Sequence, residues 1–384
     1  MHLLEYVIEN SNKTFKKMPF NEVDALVFAQ LSYCDFSVFE DGLSFPEILA
    51  HKNLFKATEL FNLIGDRDEK LLNVVLSSER YKSCIVKFHV NEIDEEHPMQ
   101  FSATSFIINR DIAVVAFRGT DGTVLGWHED MNMTYQFPIP GQARALKYIN
   151  NVLEYIHSTN IYVVGHSKGA NLAEYASVMA RKDLQDRISG VYNFDGPGFI
   201  AAFFDLDSYK AIKDRIIKFV PEQTSVGRMM INEDKVTVVK SDEVYAMQHW
   251  THSWLIEDNH FVYSDGTDFF SETVEMSTMS VLENMTPEER KDAVDVLFEI
   301  LYSTKKKYMD QIIKNRDYLM YCFKQYFELK SKRENVKKLL SELARPAIKN
   351  YSSKGGEILI EKKDEVIDRL KQMFQFDKKD SSNE

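Results

Sequence analysis

The chain has 384 residues, 44% of them hydrophobic, and carries 47 Lys and Arg against 59 Asp and Glu, a net charge of −12. That length accommodates one large domain plus an appendage. The lack of any run of about 18 apolar residues excludes a membrane-spanning helix, and the acidic balance disfavours nucleic acid as a partner, because phosphate binding rests on Lys and Arg. The charge is uneven: residues 286–384 hold 22 Lys and Arg against 18 Asp and Glu, so the tail is mildly basic and the body before it strongly acidic. The first ten residues lack the basic stretch, long apolar core and small-residue cleavage site of a secretory signal, which gives a cytoplasmic expectation. Cys34, Cys84 and Cys322 lie far apart in sequence, so buried thiols are expected rather than a disulfide framework or a Cys-based metal site.

Residues 21–33 place apolar side chains at Val23, Leu26, Val27, Phe28 and Leu31, the spacing of an amphipathic helix with Asn21 as its cap. Residues 54–63 and 69–75 predict two further helices. Three strands follow: 83–90, then 100–108 with alternating polar and apolar residues, then 112–117, apolar almost throughout. Asn109, Arg110 and Asp111 form the turn between the last two. A sheet is therefore under construction before the most informative stretch arrives.

Ile161, Tyr162, Val163 and Val164 read as a short buried strand, and 170–180 carries apolar positions at helical spacing. Between them stand Gly165, His166, Ser167, Lys168 and Gly169. A Gly-x-Ser-x-Gly pentapeptide alone is a weak signal, but strand, tight turn and helix together are the setting of a nucleophile elbow. Such a turn forces the serine into a strained conformation with Oγ exposed at the carboxyl end of a sheet, and the glycines remove side chains that would collide with strand and helix. The Lys168 amide, in the first turn of the helix, then points where an oxyanion forms. Upstream, the turn after 112–117 reads Phe117, Arg118, Gly119, Thr120, the place from which a second oxyanion amide comes. That donor is assigned to Thr120, whose hydroxyl is available to add a hydrogen bond.

A catalytic serine needs a base and the base an orienting acid, in the chain order Ser, acid, His. Residues 188–194 predict the next strand and end at Asp195, Gly196, Pro197 and Gly198, a carboxylate at a strand's carboxyl end followed by turn formers. Asp195 is the preferred acid. The alternative is Glu222, the only acid in the loop after the strand expected at 215–220. Of ten histidines, His249, His252 and His260 follow the candidate acids. Residues 236–240 predict a strand, and the loop after it carries His249, the preferred base, with His252 as the alternative; His260 sits among strand-like residues and reads as structural.

Phe117, Arg118, Gly119 and Thr120 with Trp127 and Asp130, followed downstream by Gly-His-Ser-x-Gly, resemble the class 3 lipases. The span from Asp24-Ala25-Leu26-Val27 through Asn171 to Asn193-Phe194-Asp195-Gly196-Pro197-Gly198-Phe199 resembles more closely the Mbeg-like α/β-hydrolases, a bacterial branch of that superfamily, over roughly residues 21–265. The resemblance implies an α/β-hydrolase fold and acyl-transfer chemistry. It also bears on the site: in the Mbeg-like pattern a Gln-His pair shortly precedes Ser-Trp, as Gln248-His249 precedes Ser253-Trp254. Pancreatic-type lipases take their acid from the position of Asp195, whereas class 3 lipases take it from the following strand, where Glu222 stands.

The expectation is an α/β-hydrolase fold, a mostly parallel central sheet flanked by helices, over residues 1–280, with a C-terminal helical cap or extension over 281–376 and a disordered tail over 377–384. The expected activity is carboxylic-ester hydrolysis of lipase or esterase type through Ser167, His249 and Asp195, with the Lys168 and Thr120 amides on the oxyanion, acting on a small-molecule ester or lipid. A thioesterase, an acyltransferase or a catalytically weak scaffold that binds without cleaving are the alternatives. No His-Glu-x-x-His, Gly-rich phosphate loop or paired Cys motif appears, so neither metal nor organic cofactor is expected. In the tail, Thr286-Pro287-Glu288-Glu289 is a capping box that opens a charged, aromatic-rich helical region running to Leu343. Arg345-Pro346 is read as its end, 352–356 as a linker, and 357–376 as a last amphipathic helix. This part is expected to be a packing cap, a lid or a peripheral membrane patch, the last suggested by its basic charge and aromatics.

Overall fold

The computed structural model describes residues 1–51, 65–329 and 333–353. The helix expected over 54–63, the linker beyond 353, the last helix and the tail lie outside the described residues. Seven strands form one sheet in chain order: β1 (Ile85–Asp94), β2 (Met99–Ile107), β3 (Ile112–Phe117), β4 (Asn160–His166), β5 (Ile188–Phe194), β6 (Ile216–Pro221) and β7 (Val236–Val239). β1, β2 and β3 pair antiparallel, and β3 through β7 pair in parallel. The continuous apolar runs of β3 and β4 follow from this placement, because a central parallel strand is covered on both faces.

The helices before the sheet are α1 (Leu3–Glu9), α2 (Glu22–Leu31), α3 (Phe45–Ala50) and α4 (Gly65–Ser77). Those between strands are α5 (Val124–Asn132), α6 (Pro140–Tyr155), α7 (Lys168–Met179), α8 (Lys182–Gln185), α9 (Ala201–Phe204) and α10 (Asp207–Ile212). Right-handed crossovers that step one strand at a time in one direction place every connecting helix on one face of a sheet. On that face Ile149 of α6, Leu172 of α7 and Ile212 of α10 pack with Phe101, Val115 and Val191. The other face has no crossover to cover it, and the N-terminal helices do so: Val7, Leu26, Phe28 and Val75 pack with Phe106, Val114, Val164 and Phe194. A mostly parallel sheet with helices on both sides is the α/β-hydrolase arrangement.

Covering both faces changes one expectation and bears on a second pattern. α2 is capped by Asn21, whose side chain accepts from the Val23 and Asp24 amides at 2.9 and 3.1 Å, yet it is buried all round rather than amphipathic. Of its two carboxylates Asp24 is fully buried, where it pairs with Arg80 and accepts from the Tyr81 hydroxyl at 2.6 Å. The alternation along β2 likewise does not mark a solvent face. Gln100, Ser102 and Thr104 are buried, and Thr104 finds His89 at 2.8 Å. All three cysteines are free, but Cys322 is only half-buried.

The chain divides into two compact units, Met1–Glu275 and Met276–Glu384. α11 (Phe269–Asn284) crosses the division and is followed by α12 (Pro287–Ser303), α13 (Met309–Ile313), α14 (Arg316–Glu328) and α15 (Glu334–Ser353). The Thr286 capping box forms, with Glu289 N to Thr286 Oγ1 at 3.2 Å and Thr286 N to Glu289 Oε2 at 2.9 Å. The second unit has its own core of Val281, Met285, Ala293, Val296, Val336 and Leu339. Pro346 does not end the helical region; it lies inside α15. An internal proline removes a backbone hydrogen bond and crowds the preceding turn, yet the helix runs through it, while Val336 and Leu339 in its first half pack with Ala293 and Val296 of α12.

Candidate active site

The parallel register brings the ends of β3, β4 and β5 to one level, with Phe117 opposite Gly165 and His166 opposite Phe194. The residue after each strand therefore enters the same region above the sheet. After β4 stands Ser167, at φ 58° and ψ −132°, a backbone conformation costly for a non-glycine residue and held only where the surroundings enforce it. Its amide donates to Phe194 O at 3.0 Å, and the Ala170 amide bonds its carbonyl at 3.0 Å, fixing the turn from both sides. A Cβ on Gly165 would run into the Gly169 carbonyl, and one on Gly169 into that of Phe117. Both glycines are therefore required by the close approach of helix, strand and neighbouring strand.

After β5 stands Asp195, fully buried and also at positive φ, 52°. Its Oδ2 lies 2.6 Å from His249 Nδ1. Its Oδ1 accepts from the Thr224 hydroxyl at 2.5 Å and from the Gly227 amide at 3.1 Å. A side chain on Gly227 would collide with that oxygen, so glycine here lets a backbone N–H reach the carboxylate. Three hydrogen bonds to one buried carboxylate fix its orientation. His249 ends a 3₁₀ turn, Tyr245–His249. That loop is held by the Trp254 indole donating to Gln248 O at 2.8 Å and by the Gln223 amide donating to Gln248 Oε1 at 2.8 Å. Among the described residues, neither Ser167 Oγ nor His249 Nε2 makes a hydrogen bond, which leaves both open toward a substrate.

The alternatives are engaged elsewhere. Glu222 accepts from the Ser264 hydroxyl, and His252 is buried against Asp68, Nε2 to Oδ1 2.7 Å. His260 bonds the Phe261 carbonyl at 3.0 Å in the small hairpin β8 (Ile256–Glu257) and β9 (His260–Phe261).

The Lys168 and Thr120 amides have no acceptor among the described residues, as oxyanion donors require. The Thr120 hydroxyl differs from expectation: it lies 2.6 Å from Asp130 Oδ2, and while that carboxylate is ionised the hydroxyl must donate to it and is not available for a second hydrogen bond. Burial pushes the Asp130 carboxyl up to about 6, against the opposing pull of Lys168 and of the Thr120 hydrogen bond. The Lys168 side chain turns away from the site into a buried cluster, Nζ to Glu129 Oε2 2.8 Å, to Gln100 O 3.1 Å and to Asp130 Oδ1 3.7 Å. Burial alone would lower the Lys168 ammonium; Glu129 and Asp130 outweigh it and hold it above its ordinary value. Sequence reading passes over this cluster, because residues on α5 and α7 are paired only by the fold.

A second overlooked set joins the oxyanion loop to the histidine loop. His166 Nε2 lies 2.8 Å from the His249 carbonyl, and its Nδ1 lies 2.9 Å from the Tyr33 hydroxyl, which stands close against Gly119. A carbonyl only accepts, so Nε2 carries the proton. Burial, with His249 beside it, holds His166 well below the usual histidine range and therefore neutral, so Nδ1 accepts from Tyr33. The His166 and His249 rings are 4.6 Å apart between centroids. Among the described residues no group of three or more His, Cys, Asp or Glu is arranged to hold a metal ion, and no helix is long and apolar enough to cross a membrane.

Among solved structures, the Lip2 lipase from Yarrowia lipolytica is 10% identical over 65% of this chain and 87% of its own, with a TM-score of 0.37. The lipase from Rhizopus microsporus var. chinensis is 12% identical over 63% and 87%, TM-score 0.35, and MDLA from Penicillium cyclopium, in a mutant form, is 13% identical over 65% and 87%, TM-score 0.38. No curated protein matches the chain by sequence. The family model described as Mbeg1-like matches residues 75–299, a stretch that contains the elbow, Asp195 and His249 and amounts to more than half the chain; the chain is a member of the Mbeg1-like family.

Proposed function

We propose that the protein is a serine hydrolase of lipase or esterase type, cleaving carboxylic esters through an acyl-enzyme on Ser167. The observation that carries the reading is the left-handed Ser167 after β4, bonded through its amide to the end of β5, where Asp195 follows and holds His249. In this mechanism His249 Nε2 takes the Ser167 proton as Oγ attacks the ester carbonyl, while Asp195 holds the Nδ1–H tautomer and stabilises the imidazolium. The Lys168 and Thr120 amides bind the oxyanion, each contributing about 3 kcal/mol by the usual measure of single donors. His249 then returns the proton to the leaving alcohol, and water, activated the same way, releases the acid. The partner is a small-molecule ester or lipid, and no step requires a metal or cofactor.

Hydrolysis of p-nitrophenyl esters from short to long acyl chains tests the proposal, with Ser167→Ala beside the wild-type protein. Activity lost in the variant supports it, and the chain-length optimum separates esterase from lipase. Equal background rates in both proteins across the series would overturn it.

A further inference from the structure

We propose that the exposed face of α14, in the C-terminal unit, docks on an anionic lipid bilayer. No residue of α14 is buried. Tyr326 and the following Leu329 lean on the unit's core, while Met320, Phe323 and Phe327 stand 59%, 58% and 65% exposed. With Arg316 they follow one another at spacings of four, three and four residues, so they form a single stripe along the helix. Large side chains left in water in a row are the apolar half of an interfacial helix.

The charges on α14 itself balance, Arg316 and Lys324 against Asp317 and Glu328, but the sequence around it is cationic. Residues 301–350 hold 13 Lys and Arg against 5 Asp and Glu in a chain whose net charge is −12. Lys305, Lys306 and Lys307 lie in the turn after α12 and make no ion pair among the described residues. Lys306 sits over the Tyr318 ring at 4.7 Å, beside the start of the stripe. Lys314 and Lys324 have only long partners, Asp310 at 3.8 Å and Glu328 at 3.9 Å. Cations around an apolar stripe match a bilayer surface, where anionic head groups lie above an apolar layer. A nucleic acid would use the charge and leave Met320 and Phe327 in water; a protein groove would use the stripe and leave the lysines unmatched. The inference does not depend on catalysis by Ser167.

The test is flotation of the full-length protein with phosphatidylcholine vesicles, with and without phosphatidylglycerol. Wild-type protein and Ser167→Ala should float equally with the anionic vesicles and remain behind with the neutral ones. Phe323→Ser with Phe327→Ser should reduce partitioning about tenfold, and Lys305→Glu, Lys306→Glu and Lys307→Glu together should reduce it on the order of a hundredfold and remove its salt sensitivity. Both sets lie on the surface, and unchanged thermal melting shows that the fold is retained. Absence of wild-type flotation, binding that neither set weakens, a dimer that the Phe323 and Phe327 changes dissociate, or preferential capture of an oligonucleotide would each overturn the proposal.

Discussion

Glu129→Gln removes one charge from a buried pair and leaves its partner stranded. The Glu129 carboxylate is fully buried and takes three donors: Lys168 Nζ at 2.8 Å and the Gln100 amide at 2.9 Å on Oε2, and the Gly141 amide at 2.7 Å on Oε1. A glutamine has one acceptor oxygen, so in either orientation its amino group faces a donor. The site cannot relax by moving α6 closer, because even a Cβ on Gly141 would stand only 2.6 Å from Oε1. Lys168 would keep the Gln100 carbonyl and a distant Asp130. Breaking a buried pair in this way costs about 3–5 kcal/mol, which for a unit of this size is a fall in melting temperature of about 10 °C. Thermal denaturation of the single variant and of Glu129→Gln combined with Lys168→Met measures it. The second change removes the stranded cation and should recover about 2 kcal/mol, a coupling between neighbours. A single variant within about 1 kcal/mol of wild type, or a double variant no better than the single, would refute the reasoning.

Within the proposed mechanism, Ser167→Ala and His249→Ala should each lower kcat by about 10⁴–10⁶, and Asp195→Asn by on the order of 10³–10⁴ with the fold intact by circular dichroism. Tyr33→Phe deletes the hydroxyl bonded to His166 Nδ1; steady-state kinetics should show kcat reduced roughly five- to tenfold with KM nearly unchanged, the loss of about one hydrogen bond's worth of positioning. The raised Asp130 carboxyl makes a pH prediction. Its folded value of about 6 lies above the ordinary value of about 3.9. The folded state therefore holds the proton more tightly, and this group's contribution to stability falls as pH rises from about 4 to about 6 and is flat above. Asp130→Asn removes that loss, so its stability relative to wild type should improve by up to about 3 kcal/mol between about pH 4 and pH 7, read from chemical denaturation at each pH. A difference that is constant with pH would count against it.

The elbow is legible in sequence because its cause is local: β-branched residues, then glycines two before and two after a serine, then helical spacing. Asp195 is legible for a similar reason, since a strand's end and the Gly-Pro-Gly after it can be read from neighbours alone. Thr224 and Gly227, which complete the Asp195 carboxylate's bonding, lie beyond the next strand and come to it only because β5 and β6 pair. The same holds for Lys168 with Glu129 and for Tyr33 with His166, each a contact between residues far apart in the chain. The burial of α2 is not legible either, because it follows from a one-directional sheet that leaves a face for the N-terminal helices to close. Pro346 misleads for a simpler reason: its local preference alone does not end α15.

The most direct test of the central claim is covalent labelling with a fluorophosphonate, which reacts with a serine only where a base and an oxyanion site activate it. The account predicts one adduct, located by peptide mass spectrometry at Ser167, absent from Ser167→Ala and much slowed in His249→Ala. No adduct on the folded wild-type protein, or one on another residue that persists in Ser167→Ala, would contradict it.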